Sequence, residues 1–176
     1  MRTISKTIYI CKFNELSETA KQRAKDEHAS AMGYSWSTEA LESIKALADK
    51  FGARVSDWSI DWFANSHSSM RFDCPELDRE EIAEVLETLG DYNHETLAGH
   101  GDCVLTGYTS DEDAIDGLRR EFHAGESDIE TLLQAAFDSW LEACQSDCEY
   151  QYSDESFADT CEANNYEFHN DGSFHS

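Results

Sequence analysis

The sequence predicts an α+β fold: a small antiparallel sheet packed by four to six helices, with an acidic, helical C-terminal half. Three observations carry this. Residues 3–13 and 55–73 alternate apolar and polar side chains with a period of two, as half-buried strands do. Several longer stretches repeat apolar residues at helical spacing, behind a capping residue or ahead of a glycine. The last 97 residues are strongly acidic yet rich in aromatic side chains, which acidic disordered chains lack. With 176 residues, 40% of them apolar, the chain can bury a core, so a single α+β domain is expected over residues 1–176.

Residues 3–13 read as the first strand, with Ile4, Ile8 and Ile10 on one side. Ser17 then caps a helix whose Ala20, Ala24 and Ala31 share a face, and Gly33 ends it. A second helix opens at Ser37 or Thr38. Its apolar face is Leu41, Ile44, Leu47, Ala48 and Phe51, and Gly52 stops it. Residues 55–63 return to period two and put Trp58, Ile60 and Trp62 inward, leaving Phe63 as the exposed aromatic. Ala64, Asn65 and Ser66 make a hairpin loop, and residues 67–73 return with Met70 and Phe72 inward. Pro75, the one proline, closes this region.

The run from Asp78 to Glu81 is a capping box. Its helix carries Ile82, Val85, Leu86 and Leu89 and ends at Gly90. Residues 91–102, broken by Asn93, Gly99 and Gly101, read as loop, and residues 103–107 as a short buried strand. Ser110 and the acids after it cap a helix bearing Ala114, Ile115, Leu118 and Phe122. Gly125 separates this from the longest helix, which opens at a capping box of Ser127 and Glu130 and runs to about Tyr150. Ile129, Leu132, Leu133, Ala136, Phe137, Trp140, Leu141, Cys144 and Cys148 cover one broad side of it. Asp138, Glu142 and Glu149 line the other. Ser153 caps a last helix with Phe157, Ala158 and Cys161. The Asp171-Gly172 dipeptide predicts a terminal hairpin between residues 166–168 and Phe174.

Charge is the strongest functional signal. The chain carries 37 acids against 13 bases, a net −24. Residues 1–79 are nearly neutral, with twelve acids and eleven bases, so residues 80–176 hold −23. Residues 121–176 contain fourteen acids and no Lys or Arg. A field of one sign over one half of a protein speaks about partners and repulsion rather than fold. Asp138 and Glu142 lie about 6 Å apart along the helix axis, and Glu149 roughly 10 Å further. Phosphates on one DNA strand advance about 3.4 Å each, so such a row could overlay alternate phosphates. Any amphipathic surface helix also shows such a row.

Three segments carry a resemblance: "IYICKFNELSETAKQRAKDEH", "CVLTGYTSDEDAIDGL" and "SWLEACQSDCEYQYSDESFADTCEANNYEFHNDG". Together they resemble a family of small acidic phage, prophage and plasmid proteins, with the match weakest at residues 53–73 and 91–101. The resemblance brings no established activity and no catalytic residues. It implies a mobile-element origin, and by analogy an anti-defence role, since strongly acidic accessory proteins of phages often imitate nucleic acid.

Other chemistries find less support. Cys144, Cys148, Cys161 and His169 could be read as a zinc set, but both helical cysteines fall on the apolar side, where Cys behaves as a small hydrophobe. His100 and Asp102 with His169 or His175 resemble a two-histidine, one-carboxylate pattern, but a glycine-rich polar turn is the simpler account of the first two. The run from Asp111 to Gly117 fails as a calcium loop, because Ile115 stands at the fifth position and the glycine comes one place late. No GxSxG, GxxxxGK[ST] or GxGxxG is present. No catalytic residue, metal or cofactor is therefore expected.

The expectation is a non-enzymatic inhibitor of phage or plasmid type, anti-CRISPR or anti-restriction. Its acidic face would fill the basic nucleic-acid-binding groove of a host defence protein or complex. The partner-binding acids would be Asp138, Glu142, Asp147, Glu149, Asp154, Glu155, Asp159 and Glu162. Direct nucleic-acid binding is disfavoured by charge. With no apolar run near the ~18 residues of a membrane span, no signal-peptide pattern and no framework spacing among six cysteines, a host-cell cytoplasmic protein with reduced thiols is expected. Three alternatives stand beside this reading: an acidic antitoxin-like protein neutralising a basic partner, a metal-dependent enzyme using the loop from His94 to Asp102, and a general halophilic or solubility adaptation.

Overall fold

A computed structural model of the protein describes residues 8–63, 68–89 and 111–175. In chain order its elements are β1 (Ile10–Cys11), α1 (Glu18–Met32), α2 (Ser37–Lys50), β2 (Arg54–Ser59), β3 (Ser69–Asp73), α3 (Arg79–Thr88), α4 (Asp111–Ala124), α5 (Ile129–Gln151), α6 (Asp154–Ala163), β4 (Glu167–His169) and β5 (Phe174–His175). The fold class is α+β, as the sequence predicts: among the described residues, helices accompany one three-stranded and one two-stranded antiparallel sheet. The chain divides into two compact units. One joins residues up to Ser35 with those from Cys148 onward, and the other is Trp36–Asp147. The loop at residues 64–67 and the segment 90–110 lie outside the described residues, and with them the candidate strand 103–107, the Ser110 cap and the His94–Asp102 loop. Among the described residues, no helix is long and apolar enough to cross a membrane.

In the first unit, β4 is the central strand of a sheet ordered β1-β4-β5. Ile10 lies opposite His169 and Cys11 opposite Phe168, while Phe168 faces Phe174 on the other side. The expected inward face of the first strand is corrected here. The strand is only Ile10–Cys11, with Ile8 and Ile10 exposed and Cys11 half-buried, and Phe13 is buried as the first residue of a short 3-10 helix, Phe13–Glu15. The reason is aromatic packing. Phe13 meets Phe157 edge-on at 5.0 Å and is buried with Phe168, Leu16, Ala20, Ala24 and Cys161. Ser17 caps α1 by accepting from the Ala20 N–H, and Gly33 ends it at a φ of 64°. The terminal hairpin turns at Gly172, whose φ is 88°. A Cβ there would lie 2.1 Å from the Ala20 carbonyl oxygen, so both the turn and its seat on α1 require glycine.

In the second unit, α2 packs against β2 and α4. Met70 and Phe72 point inward from β3, as alternation predicts. A bulge between Val55 and Asp57 shifts the phase of β2 and sets Trp58 opposite Met70. Trp58 nevertheless stays 47% exposed, with the Lys45 ammonium 5.0 Å over its ring. The expectation of a core tryptophan is therefore corrected: β2 ends at Ser59, and Trp58 lies at the margin of the buried face. Phe63 is exposed, as expected. Trp62 reaches the core edge-on to Trp140, with ring centres 5.8 Å apart.

The Asp78 capping box forms in full: Asp78 accepts from the Glu80 and Glu81 N–H groups, and Glu81 accepts from the Asp78 N–H. The cap of α5 is Asp128 rather than Ser127. Its carboxylate accepts from the Thr131 N–H at 2.9 Å and from the Thr131 hydroxyl at 2.7 Å. All nine residues expected on the apolar side of α5 are buried, from Ile129 to Cys148.

Candidate functional site

The acids partition between the two units, and folding treats them differently. The first unit brings the acids that follow Cys148 to the bases of the N-terminal segment. Lys12 pairs with Glu167 at 3.3 Å, Arg23 with Asp171 at 2.6 Å, and Lys25 with Asp154. Asp171 also accepts from the Ser173 hydroxyl and N–H; those two bonds, then Arg23, hold its carboxyl down at about 2. By sequence this unit carries eleven acids and six bases. Of the expected contact residues, Asp154 is thus engaged with Lys25. Glu155, Asp159 and Glu162 form an exposed row on α6, opposite buried Phe157 and Cys161, and Glu149 is exposed near the end of α5.

The second unit carries 26 acids against seven bases, so −19 of the −24 falls within Trp36–Asp147. Several of its seven bases are engaged within the unit. Lys45 pairs with Glu42, Arg54 with Asp73 and Arg120 with Glu121. Arg79 donates to the Phe122 and Glu126 carbonyls while covering the Phe122 ring. Asp138 and Glu142 are exposed on α5, and Asp147 is half-buried. Glu130, Asp138 and Glu142 are eight and four residues apart, so they share one helical row, with Gln134 between the first two donating to Asp138 at 3.0 Å.

A second helix thickens that row. Gly117 lets α4 lie against α5: a Cβ there would stand 2.5 Å from the Ser139 hydroxyl and 2.6 Å from the Ala135 carbonyl. The close approach brings Asp113 into the field of Glu142 as well as of Asp116 on its own helix. Partial desolvation, then Asp116 and Glu142, push the Asp113 carboxyl above its ordinary value, against the pull of its own backbone N–H. Arg120 lies at the same helix contact, donating to the Ser139 hydroxyl at 3.2 Å, so these carboxylates outnumber the base beside them.

Toward the start of α5 the band continues. A groove of about 560 Å³ is lined by Arg120, Glu121, Asp128, Glu130, Gln134 and Asp138. Beyond it a cleft of about 620 Å³ is lined by Glu76, Asp78, Glu81, Asp128 and Glu130 beside Cys74. Burial first, then Glu130, Asp128 and Asp73, push the Cys74 thiol up, which disfavours a reactive thiolate. Asp128 is held below its ordinary value by Thr131 and stays ionised.

Asp113, Asp116, Glu121, Glu130 and the carboxylates before α3 were not among the expected contact residues. The spacing of 130, 138 and 142 was readable in the sequence. The approach of α4, which depends on Gly117, was not. Cys144, Cys148 and Cys161 are all buried, and the run from Asp111 to Gly117 is helical. Among the described residues, no three His, Cys, Asp or Glu side chains stand together to hold a metal ion. Fold and geometry thus define an α+β protein with a carboxylate band on one unit. Comparison with protein-family models, curated proteins and solved structures found no match to this chain.

Proposed function

We propose that this protein is a non-enzymatic inhibitor that occupies the basic nucleic-acid-binding groove of a host defence protein, such as a CRISPR effector or a restriction enzyme, in the host cytoplasm. The observation that carries the reading is the segregation of −19 onto the second unit, where α4 and α5 hold carboxylates in a fixed row. Such a row offers a Lys- and Arg-lined groove what a phosphate backbone offers it. Glu130, Asp138 and Glu142 would lead the contact, with Asp113 and Asp116 behind them. Glu155, Asp159 and Glu162 are a separate acidic row on the other unit. The phage or plasmid origin rests on the sequence resemblance alone.

The test is capture of the partner from host lysate after nuclease treatment, with competing duplex DNA or RNA added in a second arm. A partner released by nucleic acid supports occupation of a nucleic-acid groove. A basic partner that stays bound at saturating nucleic acid points to antitoxin-like neutralisation and contradicts the proposal.

A further inference from the structure

The outward face of the terminal sheet, on the unit that the proposed inhibition does not use, sets two histidines side by side. In a strand, residues two apart share a face, and so do directly paired residues on neighbouring strands. Glu167 and His169 are two apart on β4, and His175 on β5 is the cross-strand partner of Glu167. The three therefore share one face, opposite buried Phe168 and half-buried Phe174. The His169 and His175 rings lie with their centres 5.1 Å apart. Two imidazoles bound to one tetrahedral ion, with nitrogen–metal distances of about 2.0–2.1 Å, have ring centres roughly 5 Å apart. Glu167 pairs with Lys12 at 3.3 Å, and among the described residues no three His, Cys, Asp or Glu side chains converge.

We propose that His169 and His175 chelate a borderline divalent transition ion of the zinc, nickel or copper class, and that Glu167 completes the set by leaving Lys12. Imidazole pairs select such ions over magnesium and calcium, which prefer oxygen ligands in larger number. The chelate would clip β5, only two residues long, to the central strand of its sheet. An ion bound to the folded chain alone stabilises it by mass action.

The experiment titrates zinc into the full chain against a chromophoric chelator and repeats the titration with magnesium and calcium. Wild type should bind one zinc saturably and neither of the others at these histidines. His169→Gln and His175→Gln should each weaken zinc by more than about tenfold, the least that losing even a residue that orients a ligand typically costs. His123→Gln, an exposed histidine on α4, should change nothing. Lys12→Met frees Glu167 and should tighten zinc, a gain that misfolding does not produce. Zinc binding in both histidine variants equal to wild type would place the ion elsewhere and overturn the site, as would a wild type that fails to saturate. Unchanged affinity in Lys12→Met would overturn the role of Glu167.

Discussion

Two single residues test the close approaches that build each unit. Gly172 combines a positive φ with a Cβ position 2.1 Å from the Ala20 carbonyl oxygen. Gly172→Ala should therefore destabilise by more than the ~1 kcal/mol of an ordinary backbone change, read as a lower denaturation midpoint. Asp113 makes the complementary case on the acidic band. Its folded pKa is raised, so its protonated form is favoured in the folded chain, and stability is lost as pH rises from its ordinary value through the folded one. Asp113→Asn should remove that loss and stabilise the protein at neutral pH, by at most about 1 kcal/mol for a solvent-screened carboxylate. The same substitution should weaken partner binding. Strain kept at a functional surface and relieved by its loss is the expected trade between stability and function. His28, ringed by Tyr152, Phe157, Tyr166 and Phe174, has its pKa lowered by burial. A depressed value means stability that is present above about 6.5 and lost as pH falls through the folded value. His28→Phe should flatten that acid limb in a pH series of thermal melts.

At the scale of elements, α5 organises both the core and the site. Its buried side sets Phe137 and Trp140 at 5.7 Å, and both are essentially inaccessible. Phe137→Ala and Trp140→Ala should each cost about 3–5 kcal/mol in chemical denaturation. Among the described residues none accepts a hydrogen bond from the Trp140 indole N–H, so Trp140→Phe should cost clearly less than Trp140→Ala. Such elements were legible because their signals are local. Helical spacing found the nine buried residues of α5, and the Ser17, Asp78 and Ser153 caps follow from side-chain chemistry next to the helix. Short strands were less legible. The burial of Phe13 beside β1 is set by Phe157 and Phe168, more than 140 positions away in the chain, and Trp58 is exposed because β2 ends one residue later, an end that alternation alone does not reveal. The pairing of β1 with β4 is equally non-local.

At the scale of the whole molecule, the sequence divides its charge at residue 79, whereas the fold divides it between Trp36–Asp147 and the remainder. The acids after Cys148, which lie in a stretch of sequence without any Lys or Arg, join the N-terminal lysines and arginine in one unit. Nothing local in the sequence announces that Lys12, Arg23 and Lys25 meet Glu167, Asp171 and Asp154. Asp138 and Glu142, by contrast, were legible, since one helix alone places them. A chain with this charge should not bind nucleic acid itself, and a gel-shift assay at about 0.15 M salt without metal should show no shift of duplex or single-stranded DNA.

The central claim is that the band on α4 and α5 meets a basic groove, and association kinetics at two salt concentrations test it most directly. The captured partner is offered wild type, Asp138→Lys with Glu142→Lys, Glu155→Lys with Asp159→Lys, and Glu15→Lys with Glu18→Lys, each checked for fold by circular dichroism. Opposite charges accelerate encounter, and salt screens them over about 8–10 Å, so wild-type association should slow as salt rises. The Asp138 and Glu142 reversal should slow association and blunt that salt dependence. If both acids are buried against paired bases, it should also speed dissociation at a cost of about 2–5 kcal/mol. The other two reversals should leave the rates near wild type. Association indifferent to salt, or equal losses in all three double variants, would contradict the account.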